Sequence, residues 1–438
     1  MAPKAQYRQD EALLIADGPY GPLRKHLGVE GMDGIIQLPY LCPLALLCAL
    51  ADRLPQFTQF ILAHVAGLKS GFAIYLDEVA PGNQLRPGTG RGYTALYWTL
   101  LDLPDWFRSS KWGWFHLMFI PTAVASRIKD GFSAVLGALL ETLWSTGGIC
   151  DLEGGGVRMK SGQDSWSMVR IAFSCFIADE RAIKDLSMAK GASARKPCVR
   201  CANILGRIDP TSPLGDYRLH FTSPMRERFD FWTSARLEEA ADHLALMRGR
   251  LTRTNVPTLE MHLGLPYGFG QGILFRQAKS NARFPGTIFW DSMHTLYASG
   301  GVAQYERNQY ILAIRGVGIP WAQLEDFKNK FVFCPGRGHL KKFILEERIV
   351  NGNGSHLRGF ASEVLMLVKM LSVFGHLALS PMGLLVRETR CIYLLDRLGD
   401  FLKLGRLNPQ QAFARIFEHH NLFVSLYPGC AKPTIHYI

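Results

Sequence analysis

The spacing of apolar residues changes several times along the chain, and each change predicts a different element. Residues 1–70 hold two helix-like apolar runs, Leu38 to Leu50 and Phe57 to Val65, broken by Pro39, Pro43 and Pro55. They predict a helical N-terminal segment. Gly71-Phe-Ala-Ile-Tyr-Leu-Asp77 is a short apolar run ending on two acids and a Pro-Gly turn, the pattern of a buried strand followed by a loop. Tyr93 to Leu103 and Trp112 to Ile120 are aromatic-rich and β-prone, with a polar turn between them. Three strands with short connections predict an antiparallel meander.

Phe132, Val135, Leu136, Leu139, Leu140, Leu143 and Trp144 then recur at helical spacing. They predict an amphipathic helix over Ser126–Ser145, ended by Gly147-Gly148. Val169 to Asp179 predicts a fourth strand, again closed by an acidic pair, and a helix follows from Glu180 to Lys190. The order is βββαβα, with an aspartate closing the first and fourth strands. From 202 to 356 helical pieces such as Ala235–Leu251 and Gln304–Ile314 alternate with Gly- and Pro-rich stretches, the pattern of a mainly helical insertion. Leu357–Phe374 restores strong helical periodicity, with further helices near Leu384–Leu404 and Pro409–His420. The reading is an α/β chain in four parts: 1–70, 71–201, 202–356 and 357–438.

Composition narrows this. With 48% hydrophobic and 20% charged residues in 438, wholesale disorder is excluded. The formal charge of +12, from 49 Lys and Arg against 37 Asp and Glu, points to polyanions or anionic membranes as partners. The N-terminus is charged where an export signal needs an apolar core, and Asp52 and Arg53 interrupt the apolar run that starts at Leu38. The expectation is an intracellular protein, nuclear or cytoplasmic, without signal peptide or transmembrane segment. Between Arg181 and Arg207 seven basic residues (Arg181, Lys184, Lys190, Arg195, Lys196, Arg200, Arg207) face one acid, Asp185. This stretch reads either as a phosphate-binding surface or as a solvated loop.

Candidate chemistry starts from the strand-end aspartates. Hard divalent ions want carboxylate oxygens on a rigid sheet, and Asp77 and Asp179 supply such a pair; Asp179 reads equally as the cap of the helix after it. On the late helix Phe360, Val364, Leu367, Leu371 and Phe374 form one stripe, and Glu363 sits at its edge. A carboxylate there either meets a cation or reaches solvent. Of nine cysteines most are isolated in apolar runs and read as reduced core thiols. Cys198 and Cys201 differ, because a two-residue gap lets both sulfurs share one metal. Asp291 and His294, one turn apart, would share a helix face, as a functional pair or as a cap and a core histidine.

In this order the residues resemble the RNase H-like catalytic domain of DDE/D transposases, nearest the CACTA-like and Plavaka-like cut-and-paste groups. The resemblance spans Phe72 to the C-terminus. It rests on Tyr75-Leu-Asp77 followed by the run 90–104, on Phe176-Ile-Ala-Asp179 with Cys198-Val-Arg-Cys201 after it, on Trp290-Asp291-Ser-Met-His294, and on Phe360-Ala-Ser-Glu363. His420 to Tyr427 and Lys432 to Tyr437 resemble the segment that follows the catalytic helix.

The resemblance implies an RNase H-like mixed sheet, three antiparallel strands then parallel ones, with a large helical insertion before the last catalytic helix. It implies Asp77, Asp179 and Glu363 as ligands of two Mg²⁺ or Mn²⁺ ions, and DNA cleavage and strand transfer as the chemistry. Asp291 and His294 would support the site. Cys198 and Cys201, with His339 as the best-placed further ligand, would bind a structural Zn²⁺. Lys190, Arg195, Lys196, Arg200 and Arg207 would contact DNA. No membrane is expected as a partner, and whether copies of the chain form a homo-oligomer is left open. No DNA-binding finger or helix-turn-helix precedes Asp77, and the family pattern continues past Ile438, so a truncated or host-adopted copy is expected. The alternative is an inactive, transposase-derived nucleic-acid-binding or interaction protein.

Overall fold

The structure is a computed structural model; it describes residues 12, 14–65, 67, 69–79, 92–145, 150–160, 165–191, 194–206, 219–223, 225–250, 255–268, 270, 272–276, 286–298, 301–333, 340, 361–404 and 408–428. The chain divides into two compact units, residues 1–202 with 230–289, and residues 203–229 with 290–438. The hydrophobic pattern alone places its divisions at 71, 202 and 357. The contacts instead give part of the expected insertion to each unit.

The first unit is built on a mixed sheet. β1 (Arg24–Gly31) and β2 (Gly34–Leu41) form an antiparallel hairpin with Gly31 opposite Gly34. Gly34 sits at φ 128°, a backbone conformation that only glycine adopts readily. The helical reading of Leu38–Leu50 therefore holds only from Pro43. In β2 the buried residues Leu38 and Tyr40 alternate with exposed neighbours, a period of two that the apolar run as a whole conceals. Two helices follow, α1 (Pro43–Arg53) and α2 (Pro55–Val65), each starting at a proline, where the missing N–H costs nothing.

β3 (Lys69–Val79), β4 (Tyr93–Leu100) and β5 (Phe115–Pro121) are the predicted antiparallel meander. α3 (Gly131–Trp144) is the predicted helix, starting five residues later than its periodicity suggests, and it packs on β1. Its last residue anchors it: the Trp144 indole N–H donates to the Ile171 carbonyl at 3.0 Å, and its ring lies 5.1 Å from Phe72. β6 (Val157–Lys160) pairs antiparallel with β7 (Trp166–Ala178), and β7 returns parallel to β3. α4 (Glu180–Ser187) follows β7 directly. α5 (Ser234–Arg248) and α6 (Asn255–Leu263) come next, after β8 (Ile204–Leu205) and β9 (Leu219–His220), which form a small parallel pair in the second unit. With β10 (Ile288–Trp290) at the far edge, the strand order is β1-β2-β5-β4-β3-β7-β10.

The second unit is mainly helical: α7 (Ser292–Leu296), α8 (Val302–Gly316), α9 (Trp321–Lys330), α10 (Ala361–Phe374), α11 (Val386–Leu404) and α12 (Pro409–Leu426). Its core joins Tyr310, Ile311 and Ile314 of α8 to Val364, Leu367, Leu371 and Phe374 of α10 and to Ile392, Leu395 and Leu398 of α11. The predicted stripe on α10 is thus the packed one. Ala361–Met382 is the one described helical stretch long and apolar enough to cross a membrane. It carries that core stripe and half of it is buried, as expected of a core helix, so there is no clear transmembrane segment among the described residues.

Candidate functional site

The two aspartates lie near the ends of adjacent strands. β3 and β7 are neighbouring parallel strands paired as far as Tyr75 opposite Ile177; Asp77 lies two residues further along β3, and Asp179 directly follows Ala178, the last residue of β7. Both are half-buried, and alternation puts each on the same face as the strand residue two before it. Asp77 lies opposite Ala95 of β4, which fixes its backbone on that side. Asp179 caps α4, its Oδ1 accepting from the Ala182 N–H at 2.6 Å. The capping role read from the sequence is real, and it fixes the carboxylate at the end of the strand.

Further acids surround the pair. Glu78 meets Arg181 at 3.6 Å, and Glu180 pairs with Lys184. Desolvation raises the Asp185 carboxyl above the usual carboxylate range; Arg181 opposes the rise, and the charges of Asp179 and Glu78 add to it. Tyr97 is raised chiefly by burial, with Tyr93 and Asp77 contributing. Burial dominates both shifts, and the carboxylates at this end of the sheet add to them, with Arg181 and Lys184 interspersed.

Glu363 lies in the first turn of α10 and is only 4% exposed. The inward orientation expected from its place beside the apolar stripe is what the helix shows. It belongs to the second unit, whereas Asp77 and Asp179 belong to the first. Asp291 and His294 are brought together: Asp291 caps α7 by accepting from the Met293 N–H, and its other oxygen meets His294 Nδ1 at 2.8 Å.

Cys198 and Cys201 lie buried on one loop, and the Arg200 N–H donates to Cys198 Sγ at 3.4 Å. Among the described residues no third metal-ligating side chain joins them. His339 and Arg207 lie outside the described residues. Lys190 is held by Glu260 at 2.9 Å, which makes it a structural tie, while Arg195 is exposed. The remaining two basic residues are interleaved with aromatics. Arg200 stands 6.0 Å from the Phe231 ring and 5.5 Å from Phe289, both substantially exposed; Lys196 and Arg236 stand 4.9 and 5.3 Å from Trp232. Such cation and ring pairs can hold phosphates and stack bases.

The sequence reading missed one group. Glu306 of α8, Cys391 of α11 and His419 of α12 are buried with their ligand atoms within 4.8 Å of one another, an arrangement that could hold a metal ion. His419 Nε2 lies 2.6 Å from Glu306 Oε2. Burial above all, with the Glu306 charge beside it, pushes the Cys391 thiol well up. Cys391 is a buried free thiol, as its place in an apolar run predicts, and it is also one corner of this group. Nothing local hinted at it: Glu306 is one of several polar residues on α8, beside Gln304, Arg307 and Asn308, and no spacing links it to a cysteine and a histidine on two later helices. Comparison with protein-family models and with curated proteins finds no match for this chain.

Proposed function

We propose that the chain is a metal-dependent nuclease and strand transferase acting on DNA, built on an RNase H-like sheet of the DDE transposase type. The observation that carries this reading is that Asp77 and Asp179 each lie two residues beyond the paired Tyr75 and Ile177, near the C-terminal ends of adjacent parallel strands, in a sheet ordered β5-β4-β3-β7-β10 from its meander to its edge. Half-buried carboxylates suit hard divalent ions, so the donor set fits Mg²⁺ or Mn²⁺. Such ions, when bound, supply an activated water or 3′-hydroxyl and stabilise the leaving oxygen. Asp77 contributes an oxygen fixed by the central strand. Asp179 contributes one whose orientation the α4 cap sets. Arg200 and Lys196, with Phe231, Phe289 and Trp232, hold the nucleic-acid backbone and stack exposed bases.

The test is Mg²⁺- or Mn²⁺-dependent nicking of supercoiled DNA. Wild type is expected to nick and Asp77→Asn to fail, and Glu363→Gln tests the third carboxylate that the family pattern implies. Equal activity in wild type and Asp77→Asn, or none in either, would refute catalysis. The cation and ring cluster favours a second reading, a nucleic-acid-binding protein without catalysis. In that case DNA binding falls steeply with salt and does not change in Asp77→Asn.

A further inference from the structure

Three helices of the second unit meet at side chains unsuited to a plain apolar core. Glu306, Cys391 and His419 are 0%, 0% and 1% exposed, and all three pairs of ligand atoms lie within 4.8 Å. Two polar atoms at this place have no hydrogen-bond partner in normal geometry among the described residues. They are Glu306 Oε1 and the hydroxyl of Tyr427, which packs in one small cluster with Cys391, Val302 and Phe423. A buried polar atom without a partner has lost its hydration and gained nothing in return. The helix that carries His419 has few fully buried residues: of the 18 residues of α12 only Ala412, His419 and Phe423 are buried.

We propose that Glu306, Cys391 and His419 form a structural zinc site that fastens α12 to α8 and α11. One sulfur, one imidazole nitrogen and one carboxylate are the donor set of a borderline-soft ion, whereas Mg²⁺ and Ca²⁺ prefer all-oxygen sites. A divalent ion beside one thiolate and one carboxylate leaves no net charge in the core. Binding sends the Cys391 S–H proton to solvent. It also turns the Nε2 lone pair of His419 toward the ion, with the ring proton on Nδ1. The 2.6 Å contact between His419 and Glu306 then widens to the ~3.3–3.5 Å that bonds of about 2.0–2.3 Å in a tetrahedron require. A bound water fills the fourth position and donates to Glu306 Oε1, which so gains a partner. Because the ligands come from three helices and are closed to solvent, the ion enters as the unit folds. This site is separate from the Cys198 and Cys201 loop and from the aspartate pair.

The test uses the full chain purified without chelators. Elemental analysis of a Cys198→Ser, Cys201→Ser double variant is expected to give one zinc per chain, and protein grown in cobalt medium is expected to show a thiolate-to-cobalt charge-transfer band. Adding Cys391→Ser or His419→Ala to that background removes both signals, and hydrogen exchange in residues 409–426 speeds up. Because Cys391→Ser can fail to fold, the folded double variant decides alone: no zinc and no thiolate band overturn the proposal. Zinc that persists when Cys391→Ser is added to the folded double variant, or its absence from wild type, overturns it as well. In those cases a buried water is left to satisfy Glu306 and Tyr427.

Discussion

Asp179 carries two assignments that one set of substitutions separates, the cap of α4 and a ligand of the strand-end cation site. As a cap it accepts a 2.6 Å hydrogen bond from Ala182, worth about 1 kcal/mol, with roughly 0.3–1 kcal/mol more from its charge at the helix N-terminus. Asn caps as well as Asp does, so Asp179→Asn loses only the charge term. Relief of repulsion from Glu78 and Asp185 offsets part of that loss, leaving a net change of about 0.5 kcal/mol or less. Asp179→Ala loses the cap as well, and should cost about 1–2 kcal/mol, or roughly 2–8 °C in Tm for a unit of this size. Activity divides the variants differently. As a cation ligand the carboxylate matters in both, so each should lose nicking by ~100-fold or more, the equivalent of about 3 kcal/mol at the transition state. Each should also lose any rise in Tm caused by Mn²⁺. Thermal melts with and without Mn²⁺, run beside plasmid nicking, read all of these quantities. An Asp179→Asn variant that nicks like wild type would show that the aspartate is only a cap. Equal destabilisation by Asn and Ala would refute the capping arithmetic.

Other expectations follow from the same physics. A Cβ at Gly375 would run into the Tyr310 hydroxyl and sit 2.7–2.8 Å from Thr389, across their buried 2.8 Å hydrogen bond. Gly375→Ala should therefore cost about 2–4 kcal/mol in urea unfolding, and much less in a Tyr310→Phe background; strict additivity would refute the clash. Arg200→Ala should weaken single-stranded DNA binding and reduce its salt slope by about one, while Phe231→Ala should weaken it with the slope kept; an unchanged isotherm in both would remove this surface from the interface. The Arg390 hydrogen bonds, against some desolvation and with help from Arg415, hold the Glu418 carboxyl below its usual range. The folded state thus binds a proton less readily than the unfolded chain, so this stabilisation is complete above pH ~4.5 and is lost as pH falls through the depressed value. Glu418→Gln should flatten the acid limb of stability against pH, and an unchanged limb would show that the pair contributes nothing.

Much of the first unit was legible because its signals are local. Short aromatic runs bounded by turns wrote the meander. The seven apolar residues from Phe132 to Trp144 wrote α3, and an aspartate at the end of each of two strands suggested where they would sit. Leu38 to Leu41 misled for a local reason too: an apolar run with prolines does not reveal its period, and only pairing with β1 and β5 shows that alternate residues are buried. The inward place of Glu363 was readable from helical geometry.

What the sequence determined by itself was therefore the order and kind of most elements, together with the acids that end β3 and β7, since both follow from spacing along one segment. Tertiary structure alone decided that the strands leading to Asp77 and Asp179 are neighbours, paired in parallel up to Tyr75 and Ile177, because strand pairing joins segments far apart in the chain. It alone decided that Glu306, Cys391 and His419 meet. They lie on three different helices, and the two that touch at 2.6 Å are 113 residues apart. No periodicity within a helix encodes which face of another helix it will bury against.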